Sequence, residues 1–318
     1  MYLGIEIGGT KLQLGVGGGK GGPLEALERA DVDQTQGAKG IREQIARMAP
    51  PLVRRYGIQN VGVGFGGPVD AVAGRIIKSF QIKGWDNFPL CDWSRQTLGL
   101  PTALENDANL AGLGEARFGA GKEARVVLYS NVGSGIGGAL VVSGELYVGG
   151  GGRAVAEIGH LRTGPGAEAP EQTVESLASG WGMAEQTRAR LRQANEAEKE
   201  AREQLRTRCA GEIDRLTGKM VVEAAAAGNT LAVEVFGQAL RTYGWALAQA
   251  VTLLAPNVII IGGGIAQIGD TRFFAPLRAE VERYVITPLR GTYEIVPAAL
   301  GEEVVVHGAI AIAADATR

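Results

Sequence analysis

The chain opens on an apolar run broken by one carboxylate. In YLGIEIGGTKLQLGV, Glu6 stands among Leu3, Ile5 and Ile7, two residues before the pair Gly8–Gly9. The pattern predicts a buried strand over Tyr2–Ile7 and a partner over Lys11–Val16, turning on the two glycines. Apolar residues at Ile41, Ile45, Met48, Leu52 and Val53 carry helical periodicity and predict a helix over Ile41–Tyr56. NVGVGFGGPVD reads as a strand running into a Gly-Gly-Pro loop. PTALENDANLAGLGEARFGAG reads as a strand end followed by a helix that starts near Asn106 and Asp107. RVVLYSNVGSGIGGALVVSGEL is again strand, glycine turn, strand.

Downstream, residues 182–216 are charged and helical, with a thin apolar stripe of Leu191, Ala194, Ala201, Leu205, Cys209 and Ile213. A solvated helix with i,i+4 charge pairs explains it; so does a helix that docks on a partner subunit. Two further helices follow, separated near Gly228 and Asn229, the second stopped by Pro256 and Asn257. VIIIGGGI is a fully buried strand ending in three glycines, and VVHGAIAIAADA reads as a short strand and a final helix. The strand–glycine turn–strand unit that opens each half suggests two related domains with a cleft between them. Two unrelated hairpins give the same pattern.

Composition narrows the class. A chain of 318 residues is long enough for two cores. At 45% apolar and 21% charged residues, with a net charge of −2, it has no general attraction for nucleic acid. No apolar run reaches the roughly 20 residues that span a bilayer, and no basic n-region with a cleavage site opens the chain. The expectation is a cytoplasmic protein without membrane or nucleic-acid partners. Cys91 and Cys209 are far apart and lack metal-ligand spacing. Glycine stands out at 49 residues, clustered in short runs that suit tight turns close to a ligand.

Four stretches carry candidate chemistry. EIGGTKLQL offers backbone N–H groups at Gly8 and Gly9, the Thr10 hydroxyl and the Lys11 charge to a phosphate. Many β-hairpins also turn on Gly-Gly, and the longer loop and helix of a P-loop are missing. VGSGIGGAL repeats the logic with Gly133, Ser134, Gly135 and Gly137. Gly262, Gly263 and Gly264 follow a buried strand, where flat ligands such as an adenosine bind. ENDAN sets Glu105, Asn106, Asp107 and Asn109 at a helix start. An N-cap explains one of them; an ionised Asp107 that accepts a hydroxyl proton, with Asn106 directing that hydroxyl, explains the set. Glu157, His160 and Glu175 lie in AEIGHLRTGPGAEAPEQTVESLASG as hydrogen-bonding partners for a polyol. A lone histidine is more often structural, and no Cys or second His stands near it for zinc.

Taken together, these motifs resemble the ROK family of sugar kinases and related repressors, in the actin-like ATPase superfamily, from about residue 2 to 315. GIEIGGTK resembles its first phosphate segment, GFGGPVD its sugar loop, LENDANLAGLGEARFGAG its catalytic helix, and NVGSGIGGAL its second phosphate segment. EIGH with ESLASG resembles its sugar-contact region, and PNVIIIGGGI its adenosine segment. The resemblance implies an α/β fold of two ribonuclease H-like (actin-like ATPase) domains flanking a cleft. The first would span 1–118, joined by a C-terminal helix at 303–318; the larger second would span 119–302, with a helical insertion near 182–216.

It further implies ATP with magnesium, a likeness to glucokinases and N-acetylmannosamine kinases, and phosphoryl transfer to a hydroxyl of a hexose or N-acetylhexosamine. By position, Asp107 would be the general base. Gly67, Asn106, Glu157, His160 and Glu175 would contact the sugar. Gly8, Gly9, Thr10, Lys11, Gly133, Ser134, Gly135 and Gly137 would hold phosphates, Gly262–Gly264 would flank the adenosine, and Glu6 would hold magnesium through water. A homodimer is implied as well. With no winged-helix segment before Tyr2, the expectation is against the DNA-binding repressor branch.

Two departures stand out. The family's cysteine-rich zinc loop is replaced by LRTGPGAEAPEQTV, so no zinc is expected and His160 and Glu175 must be steadied another way. Glu6 stands where the family usually has Asp. A catalytically weakened sugar-binding or regulatory member is the alternative these departures favour. A nucleotide-dependent assembly protein would explain the phosphate turns but not EIGH.

Overall fold

A computed structural model describes residues 1–152, 155–164, 166–193 and 198–316. The chain divides into two compact units. One comprises Met1–Tyr129, Ala139–Ala156 and Ala298–Arg318; the other comprises Ser130–Gly138 and Glu157–Pro297.

In the first unit, β1 (Tyr2–Ile7), β2 (Lys11–Gly17) and β3 (Ala26–Asp31) form an antiparallel meander, followed by α1 (Gly37–Tyr56) and β4 (Asn60–Phe65). A short pair, β5 (Val69–Asp70) and β6 (Arg75–Ile76), precedes α2 (Leu90–Leu98), β7 (Thr102–Asn106) and α3 (Asp107–Phe118). The sheet order is β3-β2-β1-β4-β7, with β4 parallel to both β1 and β7. Every residue of β4 is buried, and Leu3, Ile5, Leu12, Leu14 and Trp85 anchor the core beside it. The strand–turn–strand opening and the start of α3 lie where the apolar pattern sets them.

A second sheet repeats the architecture: β8 (Val126–Val132), β9 (Ile136–Val142) and β10 (Glu145–Leu146) join strands from later in the chain. Helices α4 (Val174–Ala178), α5 (Gly180–Arg192), α6 (Lys199–Arg208), α7 (Gly218–Ala226) and α8 (Thr230–Leu254) come next. Then follow β11 (Val258–Gly262), α9 (Ala275–Tyr284), β12 (Glu294–Pro297) and α10 (Val304–Asp315). The order β10-β9-β8-β11-β12 again places an antiparallel meander beside a parallel pair. This mixed α/β architecture of two five-stranded sheets is the fold class expected. Among the described residues no single helix is long and apolar enough to cross a membrane.

Two sequence expectations are corrected. The charged 182–216 stretch is two helices, α5 and α6, followed by a turn at Ile213–Arg215. Leu191, Ala201, Leu205 and Cys209 are buried and Ile213 is partly so, while Ala194 lies outside the described residues. The stripe is thus packed core, although charged residues cover the outside. VVH is not a strand: Val304–His307 form the first turn and more of α10. That helix packs on β1, β4 and α3, so Val305 and Val306 are buried on a helical face that tertiary packing stabilises despite their β-branching.

Candidate active site

Within the first unit, the parallel register puts Glu6, Gly64 and Glu105 in one row at the C-terminal strand ends. The chain then turns straight into α3. Asn106 is the N-cap, and its side-chain oxygen accepts from Ala108 N (2.9 Å) and Asn109 N (3.2 Å). Its amide nitrogen donates to the Gly67 carbonyl at 3.1 Å, tying the Gly-Gly-Pro loop to the helix start. Glu105 supports both neighbours: one oxygen accepts from Asn106 N (2.8 Å) and Asn109 Nδ2 (3.0 Å). The capping reading of ENDAN therefore holds for Asn106, with Glu105 bracing the turn and Asp107 standing beside the cap.

Asp107 is the first residue of α3 and keeps part of its surface open. Oδ1 accepts from Ala108 N at 2.9 Å, and Oδ2 sits beside Gly66, where an added Cβ would lie 3.3 Å away. Enclosure by the protein pushes its carboxyl up to about 6, against the pull of the helix-start N–H groups; the Glu6 charge adds to the rise. A carboxylate so tuned is ionised at neutral pH yet basic enough to accept a proton.

Glu6 is 9% exposed, and burial raises its carboxyl above the usual range. Both of its oxygens already have partners: Gln13 Nε2 donates to one, and Lys11 Nζ lies 3.9 Å from the other. Lys11 also lies 4.0 Å from Glu302, so in this structure its charge is directed at two carboxylates. The Gly8–Gly9 turn is held by Gly8 N donating to Lys11 O (3.0 Å) and Gln34 Nε2 donating to Gly9 O (2.9 Å), while Thr10 is exposed. Among the described residues no three His, Cys, Asp or Glu side chains cluster as a metal site. Glu6 and Asp107 are single carboxylates that repel one another. That suits magnesium, which takes one or two carboxylates and draws its remaining ligands from phosphate and water.

In the second unit, Glu157, His160 and Glu175 are brought together. Burial raises the Glu157 carboxyl, the His160 charge opposes the rise and Glu175 adds to it. The short helical turn Ile158–His160 lies against β9: a Cβ on Gly159 would meet the Ile136 carbonyl oxygen at 2.2 Å, so only glycine permits the approach. Glu175 Oε2 accepts from Ile136 N at 3.3 Å. The segment between His160 and Glu175 is steadied by backbone pairing. Arg162 bridges Thr173, Thr163 N donates to Gln172 O (3.3 Å) and Val174 N donates to Leu161 O (2.9 Å). Pro165 of this segment lies outside the described residues.

The same unit holds a cavity of about 730 Å³. Gly133, Ser134 and Gly264, from the two glycine motifs, line it. Gly135, Gly137, Gly262 and Gly263 are not part of its lining. Gly137 spends its N–H on Asn131 Oδ1 (3.2 Å) and its carbonyl on Ser130 Oγ (2.9 Å). Gly263 takes φ +90°, and a Cβ there would meet Val132 O at 2.4 Å. Gly180 N and Trp181 N donate to the carbonyls of Gly133 (2.8 Å) and Ser134 (3.1 Å), fastening α5 to the turn.

Trp181, Arg188, Leu216, Lys219, Val222 and Ile268 complete the wall and were not singled out in the sequence. Trp181 and Arg188 lie on α5 and Lys219 and Val222 on α7, where a helical pattern says nothing of what the helix faces. The available signal was ESLASGWG, in which Trp181 follows two small residues.

A model of the ROK family matches residues 2–316. The chain belongs to the ROK family. Among its ROK relatives, the glucokinase of Thermotoga maritima is 30% identical over 310 residues, which cover 98% of this chain and 96% of the relative. The structure of a ROK family glucokinase from Streptomyces griseus, in complex with glucose and AMPPNP, superposes with a TM-score of 0.79 at 30% identity, covering 99% of each chain. A ROK hexokinase from Thermus thermophilus gives a TM-score of 0.82 at 28% identity, over 99% of this chain and 98% of the other.

Proposed function

We propose that this ROK protein is an ATP-dependent hexose kinase, glucokinase-like in preference, with Asp107 as the general base. Family and kinase relatives make it a sugar phosphotransferase. The observation that carries the assignment of the base is the Asp107 carboxyl, raised to about 6 at the start of α3 beside the Asn106–Gly67 contact. Asn106 and the Gly67 backbone orient the sugar so that one hydroxyl faces Asp107, and Glu157, His160 and Glu175 of the second unit are its further hydrogen-bonding partners by family resemblance. The base takes that proton as the phosphoryl group moves, in a reaction where positioning and charge neutralisation dominate. Magnesium, when bound, neutralises phosphate charge, and Glu6 would hold it through water.

Two expected results follow from the geometry. Below about pH 6, kcat/KM should fall roughly tenfold per unit as Asp107 takes up a proton, and above it a plateau should follow. A flat profile between pH 5 and 7 would remove Asp107 from the proton transfer.

In the second unit the nucleotide would occupy the cavity beside Trp181, which at 48% exposure is the exposed one of four tryptophans. Adding an ATP analogue should change the indole fluorescence, and Trp181→Leu should abolish that change and raise the ATP KM severalfold. An unaltered response in Trp181→Leu would move the nucleotide out of this cavity.

A second reading, a weakened sugar-binding or regulatory ROK protein, draws support from Glu6, whose oxygens are taken up by Gln13 and Lys11. Sugar binding without sugar-dependent ADP release would favour it.

A further inference from the structure

Glu6 does not stand alone on its sheet. Cross-strand pairing sets Glu6 opposite Gln13, and Gln13 opposite Arg29. The three side chains form a polar row across β1, β2 and β3, between the apolar Ile5 and Ile7 of β1 and Leu12 and Leu14 of β2. Gln13 is wholly buried, at 0% exposure. A buried carboxamide costs stability unless every polar atom is served, and here all are. Its nitrogen donates to Glu6 Oε2 and to the Glu302 carbonyl at 2.9 Å, while its oxygen accepts from Arg29 Nε at 2.8 Å. Arg29 in turn reaches the Glu303 carboxylate at 3.2 Å.

Two acceptors on one side and a donor on the other admit only one orientation of the amide. Neither Leu nor Glu at this position reproduces it, because Leu offers no polar atom and an ionised Glu cannot donate. The longer side chain of Glu6 is what the amide nitrogen holds.

We propose that Gln13 is a positioning residue for phosphoryl transfer: it fixes the Glu6 carboxylate at the end of β1, and Arg29 locks Gln13 from the far side. The proposal rests on the kinase reading and on the part Glu6 plays in it. The row links the C-terminal end of β1 to the turn before α10 through Glu302 and Glu303, so Glu6 is held from two directions in sequence. A carboxylate released from this row would swing on three rotatable bonds, and misplacement by an ångström is enough to lose rate without loss of sugar affinity.

The test pairs Gln13→Leu with Arg29→Met, each made alone and on a Glu6→Gln background. Arg29 lies at the half-exposed end of the row, so Arg29→Met keeps the proposal testable if Gln13→Leu fails to fold. The readouts are kcat, the hexose KM, calorimetric affinity for ADP with magnesium, and the urea midpoint. Gln13→Leu is expected to lower kcat about tenfold or more and to weaken magnesium–ADP binding, with the hexose KM unchanged. Arg29→Met should act in the same direction with a smaller effect. On the Glu6→Gln background neither should cost anything further.

A lowered urea midpoint with kcat and magnesium–ADP affinity intact would overturn the proposal. So would a kcat loss equally large on the Glu6→Gln background. Should Glu6→Gln itself be normal in both readouts, the role of Glu6 in the reaction falls, and the proposal with it. An impaired Glu6→Gln beside an unimpaired Gln13→Leu would strike the role of Gln13 alone.

Discussion

Asp107→Ala is expected to lower kcat by about 10²-fold or more while the protein still folds and still binds hexose. The loss should fall on kcat and kcat/KM together, because a general base stabilises only the transition state. Asn106 keeps its N-cap bonds to Ala108 and Asn109 in this variant, so α3 retains its start. Stability should move the other way.

The sign follows from the raised carboxyl. With a folded value of about 6 against an ordinary 3.8, the native state binds the proton more tightly than the unfolded chain. The stability this confers is fully present below about pH 3.8 and is lost as pH rises through about 6. At pH 7 to 8 the ionised Asp107 therefore destabilises the fold, and Asp107→Ala or Asp107→Asn should unfold at a higher urea concentration than the parent. A site whose removal strengthens the protein is one held for function. Steady-state kinetics beside urea melts at pH 7.5 check both halves; near-normal turnover would end the assignment.

Glu115→Leu is expected to have the largest effect on stability. Glu115 is at 0% exposure. One oxygen accepts from Ala299 N and Leu300 N, both at 2.8 Å, and the other from Ala120 N at 2.9 Å. The carboxylate thus closes the end of α3 and anchors the chain entering α10. Leucine would orphan three backbone N–H groups, at a cost of about 1–3 kcal/mol each before relaxation. A total of about 4 kcal/mol is the reasonable scale for losing a buried charged acceptor. Glu115→Gln, which leaves one good acceptor oxygen, should cost distinctly less. Equilibrium urea unfolding followed by circular dichroism measures both, and a Glu115→Leu midpoint equal to the parent's would refute the role.

The legible parts of this protein are those whose physics is local. The Gly8–Gly9 turn, the Asn106 cap and the run Val258–Gly262 announce themselves within a few residues. So do the three groups of EIGH and ESLASG, because a short paired segment returns the chain from His160 to Glu175.

What stayed hidden depends on residues distant in sequence. Glu115 finds Ala299 and Leu300 some 185 positions later. Gln13 is unremarkable in KLQLGV until the register sets it between Glu6 and Arg29. Trp181 and Lys219 sit on helices whose charge pattern shows the solvent side but not the cavity side. Val304–Val306 read as a strand because β-branching is a weak preference, and packing on β1 and β4 overrides it.

The most direct measurement is sugar-dependent ADP release by the purified full chain, with ATP and magnesium, over a panel of hexoses, amino sugars and N-acetylated sugars. The account predicts turnover with a hexose, glucose foremost, that Asp107→Ala reduces by about 10²-fold or more. Measurable sugar binding with no sugar-dependent ADP release on any member of the panel would contradict it.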